Sequence, residues 1–185
     1  MSVMKSLKAA TWDAHRRLEK RLAVNDRFAD LAAYRHHLAQ LGAFYAAAEA
    51  DWAAWLTQAL PDFPSRKKAA LLAEDVECLG GTAAPAATAP AVSSVAAALG
   101  GYYVLEGATL GGQVLLPVVE RRLGLSATRG ARYLASYGPA TGQMWQRFGT
   151  AVEAHCPTPA TVTQATAAAQ ATFLALETWL LGAAA

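Results

Sequence analysis

An all-α, single-domain, multi-helix bundle is the fold this sequence predicts, on three observations. Much of its apolar content is alanine, the best helix former. No stretch alternates apolar and polar residues as a half-buried strand would, whereas apolar residues recur at three- and four-residue steps along most of the chain. With 185 residues, 54% hydrophobic and only 16% charged, the chain suits one packed domain over residues 1–185 rather than a disordered segment.

The first helix is expected over residues 2–23, where Leu7, Thr11, His15, Leu18 and Leu22 make one inward face. Asn25 and Asp26 punctuate the gap that follows, and Asp30 has the chemistry of a helix N-cap. The second helix is expected from Leu31 to near Leu60, with a stripe running from Tyr34 through Trp52 and Trp55, stopped by Pro61 and Pro64. A third helix over residues 65–79 ends at Gly80 and Gly81. The Pro/Ala-rich run at 82–91 reads as a surface loop. The segment 92–123 is helical in pattern yet contains Gly100, Gly101, Gly107, Gly111, Gly112 and Pro117. Each costs an ordinary helix roughly 1 to 3 kcal/mol, so something else selects them or the helix breaks. Helices at 126–136, 138–155 and 159–181 complete a bundle of about seven.

The net charge of +2 gives no case for nucleic-acid binding. Basic residues nevertheless crowd the first helix, at Lys5, Lys8, Arg16, Arg17, Lys20 and Arg21. They form either a solvated face or a docking face for an acidic partner or for ligand carboxylates. Cys78 and Cys156 have no metal-binding spacing and read as free thiols in a reducing cytoplasm. The N-terminus lacks a signal-peptide apolar run, and the most apolar region is interrupted by Glu106, Gln113 and Pro117, so no membrane span is expected.

A lone histidine on a helix is usually structural. His15 stands apart because Glu19 lies one turn further on, where a carboxylate can orient an imidazole ligand. Lys8 lies two turns earlier, about 10 Å along the axis, within reach of a propionate at a porphyrin rim. In Gly101 to Leu115, GYYVLEGATLGGQVL, Gly107 and Gly111 share a face. Missing Cβ atoms admit either a packed helix or a flat ligand, and a histidine helix elsewhere favours the ligand. Glu106 beside Gly107 has the chemistry of an acid catalyst but reads as a helix-pairing or solvated residue. Trp52, Trp55 and Trp145 read as core, adjacent His36 and His37 form no metal pair, and Ser93, Ser94 and His155 suggest no nucleophile.

The segment LKAATWDAHRRLE (7–19) resembles the proximal-helix motif of heme oxygenases, and YVLEGATLGGQVL (103–115) resembles their distal-helix motif. SYGPATGQMWQRF (136–148) is similar to a later stretch of the same family. The resemblance implies His15 as the axial iron ligand, Glu19 as its partner, Lys8 and Tyr102 at the heme propionates, and Gly107, Gly111 and Gly112 as the catalytic distal wall. It implies oxygen- and electron-dependent cleavage of heme, both prosthetic group and substrate, to biliverdin, iron and carbon monoxide. It further implies a ferredoxin- or flavodoxin-type electron donor and allows a bilin-binding photoreceptor downstream. Ala108 departs from the aspartate of mammalian relatives, which leaves Thr109, Gln113 or a backbone carbonyl to order distal water. The competing readings are a heme-delivery protein of the same fold and a helical interaction module.

Overall fold

The computed structural model describes residues 2–22 and 27–182. The expected end of the first helix at residue 23, and the punctuation by Asn25 and Asp26, lie outside the described residues. Among the described residues the chain forms nine α-helices, one 3-10 turn and no strand, two more helices than the periodicity predicts.

Helix α1 spans Val3–Arg21. Its first turn is closed by the Ser2 hydroxyl, which accepts from the Lys5 amide, and by Glu153, whose carboxylate accepts from the Val3 and Met4 amides at 3.1 Å each. Helix α2, Leu31–Asp51, begins as predicted with Asp30 accepting from the Ala33 amide at 2.8 Å. The predicted helix to residue 60 is then interrupted at Trp52, and α3 covers Ala53–Ala59. Trp52 is fully buried, its indole donates to the Pro90 carbonyl at 2.9 Å, and its ring presses on Gly101. Fixing that large ring in the core, rather than helix propensity, decides the break.

The predicted third helix also divides, into α4 at Phe63–Arg66 and α5 at Ala69–Cys78. Between them Glu49 of α2 accepts from the backbone amides of Lys68 and Ala69, acting as an N-cap delivered from another helix. Helix α6, Val95–Leu123, continues unbroken through all its glycines and Pro117, and closes on a left-handed Gly124 (φ 66°). Only α7, Arg132–Ala135, forms in the stretch predicted as helix over 126–136. The 3-10 turn Gly138–Ala140, helix α8 at Thr141–His155 and helix α9 at Pro159–Gly182 complete the chain.

Helix α6 is central and packs most extensively on α9, which also carries α1, while α2 pairs with α5 on the far side. Gly100 lets α6 meet α9 backbone to backbone: a Cβ there would lie 2.0 Å from the Ala165 carbonyl oxygen. At the α1–α9 contact, Glu177 accepts from Arg17 and Arg21, which hold its carboxyl below the usual range. No helix among the described residues is long and apolar enough to cross a membrane.

Candidate active site

Helices α1 and α6 face each other across a cavity of about 570 Å³, with Phe173 and Leu176 of α9 at its back and Trp145 of α8 at its side. Its size is that of a small-molecule or cofactor site. From α1 it receives Lys8, Thr11, Trp12, His15, Leu18 and Glu19, residues spaced three and four apart so that one helix face supplies them all. From α6 it receives Tyr103, Val104, Gly107, Ala108, Leu110, Gly111 and Val114.

His15 is half exposed into this space, and its ring meets Phe173 edge-on at 5.8 Å between centroids. The Glu19 carboxylate lies 3.5 Å from Nδ1, a range for ionic steering rather than a formed hydrogen bond. Lys8 and Arg16 flank the Trp12 ring, each with its cationic centre 5.9 Å from the ring centroid. Trp12, Leu110 and Val114 are 48%, 39% and 72% exposed around the opening. Large apolar side chains left open at a cavity mouth mark a surface built to be covered by something apolar.

The two sides of α6 differ sharply in what their glycines do. A Cβ at Gly111 would meet nothing within 4 Å, and one at Gly107 would meet only the Trp145 ring at 3.6 Å. These two glycines therefore leave an open, flat strip of backbone opposite His15. Gly112 instead admits the Leu134 carbonyl oxygen to 2.6 Å from its would-be Cβ. Gly112, expected on the distal wall, is thus a packing glycine on the other face.

Tyr102 needs a second correction. Expected at a propionate, it is 1% exposed, packs against Phe63 and Phe148, and donates its hydroxyl to the Arg66 carbonyl at 3.0 Å. Its ring is held in the core by those contacts, and the next residue, Tyr103, is the one that lines the cavity. Burial pushes the Tyr103 phenol up. Thr109 and Gln113, two candidates for ordering distal water, are also turned away. The Thr109 hydroxyl donates to the Glu106 carbonyl, and the Gln113 amide donates to the Ala135 and Leu134 carbonyls. Tyr103 is thus the lone polar side chain α6 gives the cavity among the described residues, and of the three candidates backbone carbonyls remain.

Trp12, Tyr103 and Trp145 were missing from the sequence-derived site. Trp12 and Tyr103 had a legible signal: Trp12 stands three residues before His15 and Tyr103 four before Gly107, spacings that share a helix face. Trp145, read from sequence as core, does pack against the core, stacking on Phe148 at 5.7 Å, and with its other side walls the cavity.

A model of the heme oxygenase family, described simply as "Heme oxygenase", matches residues 1–181. The chain belongs to the heme oxygenase family. It is 34% identical over 147 residues to the heme oxygenase of Xanthomonas campestris pv. campestris (strain 8004), an alignment covering 79% of this chain and 84% of that protein. The heme oxygenase of Neisseria meningitidis, solved with NO and CO bound, superposes with a TM-score of 0.87 at 24% identity, over 97% of this chain and 90% of that one. That of Leptospira interrogans gives 0.78 at 20% identity, over 97% and 98%. Both structures share the fold, and membership makes this chain an enzyme that degrades heme. A heme oxygenase needs a flat apolar slot with a ligating side chain on one side and clearance on the other. The strip at Gly107 and Gly111, which Cβ atoms would fill, together with the facing imidazole, fits that group.

Proposed function

We propose that this chain seats heme between α1 and α6 with His15 as the axial iron ligand. With dioxygen and electrons from a protein donor, it then opens the macrocycle to biliverdin, releasing iron and carbon monoxide. The observation that carries this reading is the bare backbone at Gly107 and Gly111 set opposite His15, with nothing within 4 Å of a Gly111 Cβ. Helix packing has no use for a glycine there; a flat ligand that must leave room for a diatomic molecule does.

Each residue has a defined task. Glu19 steers the Nδ1 side of the imidazole, so Nε2 is the nitrogen left for iron, and the edge-on Phe173 limits ring rotation. Lys8 stands at the rim, where its ammonium can meet a propionate. Leu18, Val104, Leu110 and Leu176 exclude bulk water from the macrocycle faces. Gly107 and Gly111 would leave clearance beside their own backbone for a diatomic molecule. Bound heme supplies the redox chemistry, and the protein supplies orientation and a dry slot. Arg17 and Arg21 are engaged with Glu177 and Lys8 is taken by the rim, which leaves Lys5, Arg16 and Lys20 as the cations of α1 to meet an acidic ferredoxin- or flavodoxin-type donor.

The test is a visible-spectrum time course with stoichiometric hemin, a competent electron supply and air. Loss of the Soret band with biliverdin recovered is expected; a stable Soret band would point instead to a heme carrier. His15→Ala is expected to lose the wild-type axial complex, and an unchanged ferric spectrum in that variant would remove His15 as the ligand.

A further inference from the structure

Glycine at 107 and 111 takes two side-chain anchors from the face of α6 that looks toward His15, beyond the stretch held by Tyr103 and Val104. A backbone whose distance from a ligand matters must then be held from its other side. That side carries a buried polar assembly. Glu106, 1% exposed and not part of the cavity lining, accepts from the Arg66 guanidinium and from the Tyr137 hydroxyl at 3.1 and 3.0 Å. Arg66, also 1% exposed, reaches Asp62 at 2.8 and 3.0 Å and the Met144 carbonyl at 3.2 Å. The Arg66 carbonyl in turn accepts from the Tyr102 hydroxyl and from Lys68 Nζ, which sits 3.6 Å from the centroid of the Tyr137 ring. Helix α6 is thereby fastened to the α4–α5 junction, to the start of α8 and to the turn that carries Tyr137.

That turn is held under strain. Ser136 takes φ 47° and ψ −114°, a conformation that costs a non-glycine residue on the order of 1–3 kcal/mol. It persists because α6 grips the turn twice more. Gln113 donates to the Ala135 carbonyl at 3.0 Å, and Gly112 admits the Leu134 carbonyl.

We propose that Glu106 is a positioning residue: clamped by Arg66 and Tyr137, it fixes how far the bare backbone at 107–111 stands from bound heme. The proposal rests on the heme reading above. Glu106 acts through the helix backbone, one residue before the strip it places, and touches neither substrate nor iron. Burial pushes its carboxyl up and the Arg66 and Lys68 cations oppose this, so the acid serves as an anchor for buried cations.

Two isosteric variants test it, Glu106→Gln and Tyr137→Phe, each removing one charge or one hydrogen bond from the clamp. The first readout is amide hydrogen exchange of the heme-free protein. Residues 107–112 are expected to exchange roughly tenfold faster in both variants, while amides of 165–173 in α9 stay unchanged. The double variant is expected to be no faster than the worse single, because one clamp is being opened. The second readout is product: heme seated under a looser wall should yield a mixture of biliverdin isomers where the wild type yields a narrower set. Unchanged exchange at 107–112 in both variants would overturn the proposal, as would acceleration spread equally over α9. If the wild type fails to bind heme, the exchange result still decides the clamp and the substrate reading alone fails.

Discussion

A methyl group at position 111 would meet nothing within 4 Å, whereas one at 112 would sit 2.6 Å from the Leu134 carbonyl oxygen. Alanine is favoured over glycine in a helix interior by about 1 kcal/mol, so the two positions should answer the same substitution oppositely. Gly111→Ala is expected to stabilise the heme-free protein by about 1 kcal/mol while weakening heme binding and turnover, since its methyl enters the slot. Gly112→Ala is expected to destabilise the fold, because a backbone oxygen cannot move aside cheaply. Thermal melts beside hemin titrations check both, and a shift of the same sign at 111 and 112 would discredit this division of the glycines. Helical spacing puts 111 with 107 and leaves 112 off that face, but does not say what either position meets. That His15, Glu19 and Lys8 line one cavity was legible because one helix presents all three, while Tyr102 lies one residue from Tyr103, which lines it. What a glycine faces depends on a neighbour such as Leu134, distant in the chain, and no local pattern carries that.

Helix starts with their own capping side chains, at Asp30 and Ser94, follow local chemistry; those supplied from elsewhere do not. Helix α5 begins where it does because Glu49, on α2, accepts from the Lys68 and Ala69 amides. Burial pushes the Glu49 carboxyl up and those amides pull it back down. Glu49→Ala should therefore leave two amides unpaired and cost about 1–3 kcal/mol, measured as a lower urea midpoint, with Glu49→Gln recovering part of the loss. An unmoved midpoint in Glu49→Ala would show that α5 starts for other reasons. The same long-range logic explains why one predicted helix became α2 and α3. The stripe through Trp52 gave the right buried face, but the bend needed for its indole to reach Pro90 has no counterpart in a periodic pattern. Helix α6 is the converse case, since propensity argued for a break and packing against α9 kept it whole.

At the scale of the whole molecule, the all-helical class and the order of the helices were open to inspection because 3.6-residue periodicity is a local property. The polar interior was not, since its members come together from all along the chain. His37 is one such group: buried beside Phe28, its Nδ1 lies 2.9 Å from the Arg27 guanidinium. Burial, with Arg27 adding to it, pushes its pKa down to about 3 from the ordinary 6.5. The folded protein thus keeps His37 neutral where the unfolded chain protonates it. Its contribution is fully present above pH 6.5 and is lost progressively as pH falls toward 3, at up to about 1.4 kcal/mol per pH unit. Urea unfolding at pH 7, 5 and 4 should show that loss in the wild type and a shallower one in His37→Gln. Equal slopes would mean that His37 already protonates in the fold.

Trp12, Leu110 and Val114 form a ring of oily side chains around the opening between α1 and α6. If heme covers this ring, as proposed, the empty molecule is the form that exposes it to other apolar surfaces. In the reading proposed above substrate doubles as a stopper, so the heme-free protein is expected to self-associate more readily than its heme complex, which light scattering with and without hemin checks.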